Sequence, residues 1–94
     1  MAMKASSRAI FDYLKEHPDE DLTSEDLARI LGLTKRSVDG SFTSAIQRKK
    51  DANDEPLGER IPAEMELPDG THKPIKILKL TAAGMAYDPD APEA

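Results

Sequence analysis

Cysteine is absent from the 94-residue chain. Disulfides and thiol chemistry are therefore excluded, and histidine and carboxylates are left as the sole ligands for any zinc site. The two histidines, His17 and His72, are far apart in the chain, so no pair has the spacing that puts two ligands on one helix face. No metal or other cofactor is expected. Glycine-rich phosphate loops and strained nucleophile turns are missing too, and the expectation is a protein that is not an enzyme. No apolar run approaches the ~18 residues of a membrane span. Met1-Ala2-Met3-Lys4 carries charge without an apolar segment, so no signal peptide is expected and a cytoplasmic location is the default.

What is present fits one small domain. Hydrophobic residues make up 38% and charged residues 33%, a balance typical of a globular chain. The net charge is −5, which by itself disfavours a polyanionic partner. The charge is segregated, however. Residues 34–50 carry Lys35, Arg36, Arg48, Lys49 and Lys50 against Asp39 alone, and residues 71–80 carry Lys73, Lys76 and Lys79. Residues 16–28, 51–69 and 88–94 are acidic. Either this is ordinary solvated surface charge, or the two basic segments share one face.

Apolar spacing predicts a first helix over 5–17, with Ile10, Leu14 and the Met3/Ser7 side as its stripe and Phe11 and Tyr13 on its flanks. Pro18 stops it, and Leu22 anchors a short extended piece. Thr23 caps a second helix, with Asp26 as the capping-box acid. Leu27, Ile30 and Leu31 are its expected buried stripe, and Gly32 ends it in a left-handed cap. Thr34 caps a third helix that runs to about Lys49, with Val38, Phe42, Ala45 and Ile46 inward. Two short amphipathic helices joined by Gly32-Leu33-Thr34 form a helix-turn-helix pattern. After a loop at 51–57 the period switches to two. Ile61, Ala63, Met65 and Leu67 alternate with polar residues, and Ile75 to Leu80 make a second strand, giving a hairpin with its tip near 68–74. Pro62 marks an edge strand. Thr81 caps a last short helix or turn over 82–87. The expected organisation is one domain over 1–87 with a disordered acidic tail at 88–94.

Leu22-Thr23-Ser24-Glu25-Asp26-Leu27-Ala28-Arg29-Ile30-Leu31-Gly32-Leu33-Thr34 resembles the LTxxELAxxLGLS opening of many bacterial winged helix-turn-helix regulators. Lys35-Arg36-Ser37-Val38 is similar to the start of their recognition helix. Leu80-Thr81-Ala82-Ala83-Gly84 resembles the LTxxG element that follows the wing in MarR-like regulators. The resemblance covers about residues 8–87. It implies an α+β fold, a small winged helix-turn-helix with three helices, a hairpin wing and a short C-terminal helix or turn. It also implies sequence-specific binding of double-stranded DNA by a small bacterial or phage transcriptional regulator. Lys49-Lys50-Asp51 departs from the usual Lys-Lys-Gly-Leu entry to the wing. The long dimerisation helices of MarR-like proteins have no counterpart, so no oligomeric state is implied.

At about 100° per residue, the third helix places Arg36, Gly40, Thr43, Ser44 and Gln47 outward. Arg36 suits guanine and Gln47 suits adenine in two-pronged base contacts, while Lys35, Ser37 and Thr43 suit phosphates. A glycine inside a helix costs about 1 kcal/mol relative to alanine, and close approach to a groove would explain Gly40. Asp39 is expected to pair with Lys35 on the surface. Thr23 and Ser24 at the start of the second helix, and Thr71, His72 and Lys73 at the wing tip, are further expected phosphate contacts. His17 is expected to stabilise the end of the first helix. The acidic total and the acidic 51–69 segment keep a second expectation open: a winged-helix protein-interaction module that does not touch DNA.

Overall fold

Thr23 shows how local chemistry starts an element in this chain. In the computed structural model, which describes residues 4–47 and 55–88, the Asp26 N–H donates to Thr23 Oγ1 at 3.2 Å and the Thr23 N–H donates back to Asp26 Oδ2 at 3.1 Å. This reciprocal box opens helix α2, Ser24–Leu31, and Gly32 closes it at φ +70°. Thr34 then accepts from the Ser37 N–H at 3.0 Å to open α3, Lys35–Ser41. The α2–α3 connection is therefore set by two caps and one left-handed glycine, as the spacing predicts.

Helix α1, Ala5–Glu16, precedes them and buries Ser7, Ile10, Phe11 and Leu14. Phe11 is fully buried rather than flanking. At the end of α1 the His17 N–H donates to the Tyr13 carbonyl at 3.0 Å, and its ring stacks on Tyr13 with centroids 4.2 Å apart. Met3, which the first stripe includes, lies outside the described residues.

Two helical expectations are corrected. Helix α2 buries Ser24, Leu27 and Ala28, and Leu31 packs partly against the core. Those four positions fall at i, i+3, i+4 and i+7, a regular helical stripe. Ile30 sits beside that stripe and is 42% exposed. Helix α3 does not continue as an α-helix. From Phe42 to Gln47 the chain is π-helical, with i to i+5 bonding that widens the turn. The π segment still buries Phe42 and Ile46, but it shifts the outward directions computed for a uniform 3.6-residue repeat. The expected last residues of this helix, Arg48 and Lys49, lie outside the described residues, as do Lys50, the loop at 51–54 and the tail from 89 onward.

Strands β1, Gly58–Glu66, and β2, His72–Leu80, form an antiparallel hairpin in the register Gly58 to Leu80 through Glu66 to His72. Leu22 bridges the other side of β2, where the Leu78 N–H donates to the Leu22 carbonyl at 2.7 Å. That bond sets the parity of the ladder. The N–H of Leu78 faces away from β1, so the nitrogens of Pro74 on β2 and of Pro62 on β1 also face outward. Neither proline removes a ladder bond, and each deprives an outer edge of a donor that a stray strand would need. The tip is tighter than expected. Leu67 donates to the Thr71 carbonyl at 2.7 Å, and Gly70 adopts φ +87°. His72, Lys73 and Pro74 thus belong to β2 rather than to the turn.

Ile61, Ala63 and Met65 share a face with Ile75 and Ile77 across the hairpin. Their alternation reads as a half-buried strand, yet Ile61 and Met65 are 37% and 41% exposed. The outer part of the hairpin extends past the core, so that face has nothing packed fully over it. At the base, Leu57 and Leu78 join Ile10, Phe11, Leu14, Leu22, Leu27, Val38, Phe42 and Ile46 in one hydrophobic cluster. Thr81 accepts from the Gly84 N–H at 3.2 Å to start α4, Ala82–Ala86. Tyr87 then meets Phe11 edge-on with centroids 5.7 Å apart. The architecture is α+β: four α-helices, a π-helical extension of the third and a two-stranded hairpin among the described residues. No helix among them is long and apolar enough to cross a membrane.

Candidate nucleic-acid interface

Lys35, Arg36, Gly40 and Ser44 are the exposed residues on the outer side of α3 and its π extension, and with Asp39 and Thr43 they line an open, shallow surface. Arg36 makes no hydrogen bond or ion pair among the described residues. A Cβ built on Gly40 meets nothing within 4 Å. No packing among the described residues therefore requires glycine there, and the missing side chain leaves a dip in the middle of the surface. Ser37 is half-buried, and its N–H is already used by Thr34.

Asp39 does not pair with Lys35. Its carboxylate accepts from the Ser24 hydroxyl, and Arg60 Nη2 stands 3.6 Å from Asp39 Oδ1. Lys35 instead lies 3.8 Å from Glu25. The reason is position: one turn of helix separates Lys35 from Asp39, but the start of α2 and the base of β1 both come closer to the Asp39 carboxylate. Ser24 is buried, and the Thr23 hydroxyl donates to Asp26 Oδ2 at 3.1 Å. Both hydroxyls expected at a phosphate are thus engaged within the protein.

Arg60 is the residue that sequence reasoning missed. It projects from β1 across the π segment, with its guanidinium carbon 5.0 Å from the centre of the Phe42 ring. Nη1 donates to Gln47 Oε1, and Nη2 donates to Thr43 Oγ1 at 2.9 Å and to the Asp39 carbonyl at 3.2 Å. Thr43 and Gln47, expected to face outward, are half-buried beneath it. The one available signal was its isolation: Arg60 is the single cation in the acidic stretch 51–69, and a guanidinium is suited to fixed multi-point contacts and to stacking on an aromatic ring.

A cleft of about 550 Å³ separates the starts of α2 and α3 from the hairpin. Its cations are Lys35, Arg60, Lys73 and Lys76, and its carboxylates are Glu25 and Asp39. Residues of both basic segments therefore line one cleft, with Lys73 and Lys76 on alternate faces of β2. Lys73 and Lys76 are exposed and make no hydrogen bond or ion pair among the described residues, whereas Lys35 and Arg60 stand against Glu25 and Asp39 within the cleft. Lys76 was not among the expected site residues, yet it lies here with Lys35 and Lys73. The rest of the hairpin tip is less open to a ligand. Thr71 donates to Asp69 Oδ1 from its hydroxyl at 2.6 Å and from its N–H at 3.0 Å. These bonds, the hydroxyl's first, hold the Asp69 carboxyl below its usual pKa of 3.8. His72 Nδ1 stands 3.8 Å from Glu64. No group of three or more histidines or carboxylates is arranged to hold a metal ion among the described residues. Comparison of the chain with protein-family models, with characterised proteins and with solved structures gives no match.

Proposed function

We propose that the chain is a small winged helix-turn-helix module that binds double-stranded DNA, as the MarR-like regulators that its motifs resemble would. In this reading α3 enters the major groove with Arg36 leading, and the β1–β2 hairpin lies along the backbone as a wing. The observation that carries the proposal is the shared cleft: Lys35 on α3 and Lys73 and Lys76 on β2 line one cavity, although nearly forty residues of an acidic chain separate them. Recognition helices of this kind read bases from their N-terminal half, which is where Arg36 and the dip at Gly40 lie. Transcriptional regulation is the role that the resemblance adds.

Chemical-shift mapping with a random-sequence duplex at low salt tests the proposal. Arg36, Gly40, Ser44, Lys73 and Lys76 should move together, and the shifts should collapse as salt is raised. Shifts that are absent, or confined to α1 and α4, would overturn it. The exposed Ile61 and Met65 on the outer hairpin face favour a second reading, a protein-interaction module. Duplex-independent capture of a partner, lost on Met65→Glu, would support that reading instead.

A further inference from the structure

The geometry around Arg60 points to a positioning residue that sets sequence preference, an inference that rests on the DNA reading above. We propose that Arg60 withholds Gln47 from the major groove and so confines base reading to the first turns of α3. A glutamine recognises adenine with two prongs: its amide oxygen accepts from N6 while its amide nitrogen donates to N7. The oxygen is the half that matters here, because Gln47 Oε1 is taken by Arg60 Nη1. The bond is charge-assisted, and the arginine that makes it is held from three further directions. Nη2 reaches Thr43 Oγ1 at 2.9 Å and the Asp39 carbonyl at 3.2 Å, and the guanidinium lies over the Phe42 ring.

The π segment is part of the arrangement. The Phe42 N–H is shared between the Val38 and Asp39 carbonyls, and just beyond it the helix widens. Arg60 bonds the carbonyl of Asp39 before that widening and the side chains of Thr43 and Gln47 within it. A hairpin residue thereby fixes which side of the helix faces out. The Thr43 hydroxyl accepts from Arg60 Nη2, which draws it toward β1, and its proton makes no bond among the described residues. Among the outward residues of α3, Arg36 is left with the planar fork that suits a two-pronged base contact, while the Lys35 ammonium stands 3.8 Å from Glu25.

Binding-site selection from a random duplex library separates this role from a merely structural one. Wild type, Gln47→Ala, Arg60→Met and the double variant are compared, with circular dichroism to confirm folding. Methionine keeps an apolar stem over Phe42 and removes every donor. Wild type and Gln47→Ala should select the same sequence. Arg60→Met should add a preference for adenine of about tenfold or more at one further position, and Gln47→Ala in that background should erase it. If Arg60→Met does not fold, Arg60→Leu is read by the same criteria, since it too has no donor for Gln47 Oε1. A changed preference in Gln47→Ala alone overturns the inference. So does a folded Arg60 variant that retains duplex with the wild-type preference. Failure of the DNA reading itself is distinct, because no version then retains duplex even at low salt, and both proposals fall.

Discussion

Gly84 lies against the backbone of Leu57 so closely that a Cβ at position 84 would come within 1.9 Å of the Leu57 carbonyl oxygen. The same oxygen accepts from the Thr81 N–H at 2.9 Å, so it is pinned and cannot move aside. Glycine is required in α4 for close approach, not for an unusual backbone angle. Gly84→Ala must lift α4 from the base of the hairpin and disturb the Tyr87–Phe11 contact. Overpacking against a fixed backbone costs about 2–3 kcal/mol, read as a lower urea midpoint. Met85→Ala, one residue on and 38% exposed, should stay within about 0.5 kcal/mol of wild type. Equal effects from the two would show that the close approach does not matter.

Gly40 is predicted to behave in the opposite way. Nothing lies within 4 Å of a Cβ built there, and its φ is not in the left-handed range. Gly40→Ala should therefore raise stability by about 1 kcal/mol through helix propensity alone. Gly40→Gln should also fold, yet weaken duplex binding, because its bulk fills the dip between Arg36 and Ser44. Urea denaturation and fluorescence anisotropy on the same samples check both halves. A loss of stability in Gly40→Ala would mean that an internal constraint holds the glycine.

The contrast between these two glycines shows what the sequence made legible. Features set within four residues were readable: the caps at Thr23, Thr34 and Thr81, the left-handed Gly32 and the alternation in the hairpin each follow from local bonding rules. Features set by distant partners were not. Asp39 chooses Ser24 and Arg60 over nearby Lys35 because α2 and β1 approach it in space. Ile30 is exposed because the burial of α2 is set by Leu27 and Ala28, and an eight-residue helix offers too few turns to separate two adjacent stripes. The π segment leaves no clear mark in the residue types from Phe42 to Gln47. Charge segregation along the chain anticipated Lys35, Lys73 and Lys76 lining one cleft, whereas the clasp made by Arg60 depends on β1 approaching the π segment from 13 to 21 residues away.

Acid should loosen the hairpin tip before the core responds. Thr71 bonds the ionised Asp69 with its hydroxyl and its N–H, and this lowers the Asp69 pKa in the folded state from 3.8. A depressed carboxyl contributes order that is fully present above its unfolded pKa and is lost as pH falls through the folded value. The tip turn should thus be intact at neutral pH and loosen only below about pH 3.8. The Thr71 amide proton, followed by NMR from pH 6 downward, should titrate with that depressed value, and Asp69→Asn should shift the amide and abolish its titration. A Thr71 amide that titrates above the unfolded value would contradict the assignment.

Arg36, Lys73 and Lys76 are all exposed cations without protein partners among the described residues, but they should fail differently when removed. Lys73→Ala and Lys76→Ala should each weaken duplex binding about equally for every sequence and reduce the slope of log affinity against log salt by about 1. Arg36→Ala should cost about 1–3 kcal/mol on the preferred site and relax selection at one base pair, with less effect on non-specific duplex. Lys35→Ala should fall between them, because its ammonium is shared with Glu25 at 3.8 Å and part of its charge is already answered. Salt titrations of all four variants on one specific and one random duplex make the comparison. Identical losses on both duplexes for Arg36→Ala and Lys73→Ala would assign Arg36 to the backbone and leave α3 without a base-reading arginine.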